Sequence, residues 1–121
     1  MNDSWLLPGA IRDRQTITAE WNPKDLRLID GVRIREVRHV PKSNGHLTEL
    51  YRADWAVDSA PVDQVFEVVL LEGGISAWHA HAHTLDRLFV VTGLVRIALY
   101  DGRPDSPTRG LVNDFRFGEV R

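Results

Sequence analysis

The 121-residue chain has no cysteine, two lysines, one methionine and no long uninterrupted apolar run. Without cysteine there can be no thiolate nucleophile, no CxxC redox pair, no disulfide and no Cys-ligated zinc or iron–sulfur centre. Any metal must then be held by His, Asp or Glu. The same lack fits a reducing compartment, and a cytoplasmic location is expected. The longest apolar stretch, Val65 to Leu71, is broken by Glu67 and falls far short of the ~20 residues a spanning helix needs. Asp3 and Pro8 stand where a secretory leader would carry a basic segment and an apolar block, so no signal peptide is expected.

Charge of one sign is also missing. Fifteen basic and 17 acidic residues give a net charge of −2, and the two signs alternate along the chain. A nucleic-acid coat or polybasic membrane anchor is therefore not expected. All but Lys24 and Lys42 of the basic residues are Arg, an excess read as compositional. Neither Gly-x-Gly-x-x-Gly nor a Walker loop is present. The run Gly74 to Trp78 begins like a nucleophile elbow but lacks its final glycine, which argues against a serine hydrolase. The length suits one domain and leaves no room for a two-domain enzyme. An apolar content of 43% is enough to build a core.

What is present reads as an arm followed by short strands. Residues 1–30 scatter Trp5, Leu6, Leu7 and Trp21 among Pro8, Gly9 and Pro23 without a period. Residues 31–121 form a single β domain. Val32 to Val40 is β-branched, and Pro41 to Gly45 is turn chemistry. The near-continuous apolar run from Val62 to Leu71 predicts a strand covered on both faces. Leu88 to Val91, Gly93 and Val95 to Tyr100 predict a hairpin. Asp101 to Pro107 is rich in turn residues, and Leu111 to Phe117 alternates as a last strand. With no convincing amphipathic helix, the fold class predicted is all-β, a sandwich or barrel.

The most informative pattern is the alternation of His79, His81 and His83 with Trp78, Ala80 and Ala82. On a strand, residues two apart lie about 6.7 Å from each other and point the same way, so two imidazoles of a His-x-His can meet one ion or ligand. His79 and His83 would be about 13 Å apart, too far to share an ion on a straight strand. Asp86 follows closely and could complete a site of two His and one acid. A neutral imidazole also serves as a general base without a metal. His39 and His46 are read as ordinary surface residues. Two chemistries remain open at this point.

Gly73, His79, His81, Asp86 and Gly93 fall into the register of the first cupin motif, with Asp where Glu is usual. The stretch resembles the cupin superfamily, and within it the dTDP-4-dehydrorhamnose 3,5-epimerases. Gly45-His46-Leu47-Thr48-Glu49 with Tyr51-Arg52, Arg87 to Gly93, and Asp101 to Thr108 carry that second likeness, which covers roughly Gly31 to Arg116. The resemblance implies a jelly-roll, or double-stranded β-helix, barrel. It implies that His79 is the base that removes protons beside the C4 ketone of a sugar nucleotide. Arg87, in place of a Lys, would stabilise the enolate. Glu49, Arg52 and His81 would contact substrate. Ser76 and Asn44 stand where the family has Arg. The family's catalytic Tyr, the Asp that orients its base and the second cupin motif correspond to sequence beyond residue 121, so the barrel is expected to be incomplete at its C-terminus or completed by a neighbouring subunit.

Three readings follow. The first is a cofactor-free sugar-nucleotide epimerase of the dTDP-4-keto-6-deoxyhexose type, a homodimer. The second is a cupin holding a divalent metal (Zn, Fe, Mn or Ni) on His79, His81 and Asp86, with His83 as a possible further ligand, acting as an isomerase or dioxygenase. The third is a non-catalytic carbohydrate-binding barrel.

Overall fold

A computed structural model describes residues 4–57 and 60–119; Asp3 of the N-terminal reading lies outside them. The turn chemistry after Val40 closes a short hairpin, β1 (Val40–Lys42) against β2 (Gly45–Leu47), with Val40 opposite Leu47 and Lys42 opposite Gly45. Pro41 has no N–H to give a ladder, which suits so short a strand with a free edge. His39 extends this corner. Its ring lies 4.4 Å from that of His46, its Nδ1 bonds the Thr48 hydroxyl, and its Nε2 reaches the Glu119 carbonyl oxygen at 3.4 Å. Beyond β2 comes one 3-10 turn, Ala53–Trp55.

The principal pairing joins β3 (Leu94–Tyr100) to β4 (Val112–Gly118), antiparallel over seven residue pairs from Leu94↔Gly118 to Tyr100↔Val112. The period of two decides which face is covered. Val95, Ile97 and Leu99 alternate with exposed neighbours, and Asn113, Phe115 and Phe117 alternate opposite them. The rings of Phe115 and Phe117 stack at 5.3 Å. On the other face Arg96 lies directly opposite Arg116, a like-charge pairing that Asp114 offsets. Asp114 accepts two hydrogen bonds from Arg96, both 2.9 Å, and one from Arg116 at 3.0 Å. These bonds hold its carboxyl below the usual range. Gly118 is required by close approach: a Cβ there would lie 2.5 Å from the Gly93 carbonyl oxygen.

The turn-rich segment between β3 and β4 folds around a buried carboxylate. Asp101 is 3% exposed. It accepts from Arg103 Nε at 2.9 Å, Ser106 Oγ at 2.5 Å and Thr108 Oγ1 at 2.7 Å. Gly110, at φ +84°, closes the loop by donating its N–H to the Asp101 carbonyl at 2.7 Å. The left-handed conformation there favours glycine. The same knot grips the end of the arm. The Asp30 N–H donates to Thr108 Oγ1 at 2.9 Å, and Arg103 Nη2 donates to the Asp30 carbonyl at 2.8 Å. Asn113 of β4 takes the Ile29 N–H on Oδ1 at 2.9 Å and gives Nδ2–H to the Arg27 carbonyl at 2.8 Å. Ile29 is the buried apolar residue of this junction.

Hydrogen bonds from Arg103, then from Ser106 and Thr108, hold the Asp101 carboxyl far below its ordinary value. A depressed folded pKa stabilises the fold above the unfolded value of about 3.9, and that contribution is lost as pH falls toward the folded one. Urea midpoints measured between pH 7 and pH 2 should fall steeply at the acid end. In Asp101→Asn the acid limb should be shallower and the neutral-pH midpoint lower. An acid limb unchanged in that variant would count against the knot.

The described chain is all-β, as predicted, with the 3-10 turn as its only helical element. Three local expectations are corrected. Leu88 to Val91 does not pair with Leu94–Tyr100; β4 does, because it offers seven pairs with matched apolar and charged faces where Leu88 to Val91 offers at most four. Val32 to Val40 joins a ladder only at Val40. Val62 to Leu71 forms no ladder and is not covered: Val65 is 86% and Leu71 82% exposed. The accessible surface of 11309 Å² far exceeds the roughly 6,600 Å² of a compact monomer of this mass. Much of the apolar surface that the pattern assigns to a core is therefore open to solvent.

Candidate functional site

The predicted site residues fall into two groups, one along the histidine segment and one around Tyr51. A turn leads into the first: the Gly74 N–H donates to the Leu71 carbonyl at 2.8 Å. From residue 75 to residue 91 the backbone joins no strand, with a bend at Ala82 and His83. The expected His strand is thus irregular, and its imidazoles find partners close in sequence. His79 Nε2 lies 2.8 Å from Ser76 Oγ. His81 Nε2 lies 3.4 Å from Asp86 Oδ2, with both side chains about half exposed.

The structure therefore brings His81 and Asp86 together but leaves His79 out of that pair. His83 sits at the bend. Among the described residues no group of three or more His, Asp or Glu is placed to hold a metal ion. The set His79, His81 and Asp86 does not fit a three-ligand site as arranged, because His79 turns to Ser76 and the ladder that would align the two imidazoles is absent. No step is assigned to a metal here.

In the second group Arg52 is the hub. It donates from Nε and Nη2 to the two oxygens of Asp54, at 2.8 and 2.7 Å, and from Nη1 to Glu49 Oε1 at 3.2 Å. The Asp54 hydrogen bonds, then those of Glu49, raise the Arg52 pKa, and Arg52 in turn lowers that of Asp54. Any anion approaching this guanidinium would have to compete with Asp54 for it. Sequence reasoning missed Asp54, although the Arg-x-Asp spacing was there to read. Arg87 lies over the Tyr51 ring, 5.6 Å from guanidinium carbon to centroid, and donates from Nη2 to the Ala60 carbonyl. A permanent cation is thereby held beside the Glu49–Arg52 pair's own segment. A separate groove of about 420 Å³ is lined by Leu28, Val32, Arg33, Ile34, Arg35 and Trp55 among others, with Arg35 stacked 4.2 Å over Trp55. None of the predicted site residues lines it. Among the described residues no helix is long and apolar enough to cross a membrane.

In sequence the chain is similar to proteins of sugar biosynthesis. It is 30% identical over 92 residues to a protein of Haloferax volcanii named as a probable low-salt glycan biosynthesis epimerase, Agl13. It is 32% identical over 92 residues to the spore coat polysaccharide biosynthesis protein SpsL of Bacillus subtilis. These matches take in 75% and 76% of the chain but 59% and 60% of the two relatives. No protein-family profile and no solved structure matches the chain.

Proposed function

We propose that the chain carries the base-bearing part of a sugar-nucleotide epimerase acting on a dTDP-4-keto-6-deoxyhexose type of substrate. The observation that carries the reading is the likeness to a relative named as a glycan biosynthesis epimerase, joined to a histidine whose one ring nitrogen is already occupied by a hydroxyl. A ketone at C4 acidifies the hydrogens on C3 and C5. His79 takes such a proton, the electron pair moves into an enolate, and a proton delivered from water to the other face of the carbon inverts it while His79 releases its own proton to solvent. Atoms and charge balance without redox change, so the reaction calls for no cofactor. In this reading Arg87, held over the Tyr51 ring, is the cation for the enolate oxygen, since a charge that develops in the transition state is best stabilised by a group already oriented. Glu49, Arg52 and His81 contact the sugar and its phosphates. In this reading the strands belong to a jelly-roll barrel, and the working protein is a cytoplasmic homodimer. Incubation with a 4-keto-6-deoxyhexose nucleotide in deuterium oxide should place deuterium at C3 or C5, read by mass spectrometry and NMR. No incorporation would overturn the proposal.

The contact of His81 with Asp86 favours a second reading, a divalent metal on that pair with His79 as third ligand. It requires the segment from Ser76 to Asp86 to rearrange so that His79 leaves Ser76.

A further inference from the structure

We infer that Ser76 positions the His79 ring for proton abstraction: its hydroxyl engages Nε2 and leaves Nδ1 as the nitrogen that meets the substrate. The inference rests on the reading of His79 as the base. Ser76 Oγ, three residues ahead in the chain, lies 2.8 Å from His79 Nε2. A neutral imidazole carries one N–H and one lone pair, and the partner of the first decides where the second points. With Nε2–H donating to the Ser76 hydroxyl oxygen, Nδ1 holds the lone pair and is the atom that receives the proton. A hydroxyl oxygen suits this task because it accepts from Nε2–H whether the ring is neutral or protonated. The ring therefore need not turn when the proton arrives at Nδ1. The histidine's neighbour His81 is tied elsewhere, to Asp86, so the two imidazoles are set to different partners by groups of different charge.

The test uses the intact chain with ¹⁵N-labelled histidine, and Ser76→Ala, Ser76→Thr and His79→Ala variants. Long-range ¹⁵N–¹H spectra, with the His79 signals assigned by their loss in His79→Ala, should show Nε2–H in the neutral ring. The Nε2 shift should move in Ser76→Ala and return in Ser76→Thr. In the deuterium exchange assay kcat should fall roughly ten- to a hundredfold in Ser76→Ala with KM unchanged, and Thr should restore it. Protonation at Nδ1, or an Nε2 shift and a kcat indifferent to Ser76→Ala while His79→Ala abolishes exchange, would overturn the role of Ser76 alone. Exchange that survives His79→Ala, or is absent from the intact chain, would overturn the base assignment and the positioning role with it.

Discussion

Replacing His79 by alanine is expected to lower deuterium incorporation into a 4-keto-6-deoxyhexose nucleotide by about 10²–10⁴-fold, the range a positioned general base supplies. His81→Ala should act differently. Its imidazole is paired with Asp86 rather than with the Ser76 hydroxyl, so it should raise KM and leave kcat within a few-fold. That split separates the two readings of the histidine segment. A metal site built from both imidazoles would lose activity in either variant, and His81→Ala would also release stoichiometric metal, measurable by elemental analysis. Equal loss of kcat in both variants would therefore favour the metal site over the proton-transfer reading.

The second large effect lies far from that chemistry. Asn113→Ala is expected to destabilise the fold by roughly 1–3 kcal/mol, because it strands the buried Ile29 N–H and takes the donor from the part-buried Arg27 carbonyl. Asn113 is 4% exposed, accepts from the Ile29 N–H and donates to the Arg27 carbonyl. Each unsatisfied buried group costs about 1–3 kcal/mol, whereas ordinary surface substitutions stay near ±0.5 kcal/mol. Denaturant unfolding followed by two probes gives the number, and a melting point lower by about 10 °C should accompany it. Asn113→Asp should not rescue the loss, since a carboxylate keeps the acceptor for Ile29 but sets a buried negative charge against the Arg27 carbonyl oxygen. A change confined to the surface range would show that the arm is not held by this side chain.

Local alternation was sufficient to read β4, the strand Leu94–Tyr100 and the turn-rich loop between them, because each is specified within a few residues. The all-β class followed from the same short periods. Pairing was harder to read. Leu88 to Val91 lies next to Gly93 and looks like the natural partner of β3, yet β4 places Asp114 between Arg96 and Arg116 and Phe115 beside Ile97. The roles of Asp101, Thr108 and Asn113 were invisible for a related reason. A buried polar hub has meaning only through the segment that returns to it, here residues 27–30.

The site shows the opposite case. Ser76 and His79 are only three residues apart, but a strand period sends positions i and i+3 to opposite faces. The contact exists because the backbone there is not a strand. Arg52 entered the reading through the likeness carried by Gly45 to Arg52, which stops short of Asp54, the residue that engages its guanidinium most fully. The apolar run Val62 to Leu71 misled through its composition. Hydrophobicity says that a segment gains from cover and does not say which element supplies it.

The bonds between residues 27–30 and the β3–β4 loop also have a consequence in time. Ile29 and Asn113 are separated by 84 positions. At a synthesis rate of about 5–20 residues per second, residues 27–30 are made some 4–17 s before their partners. Throughout that interval Ile29 and the backbone groups on either side of it lack these partners, and the arm can join the fold only after the β3–β4 loop and β4 have been made.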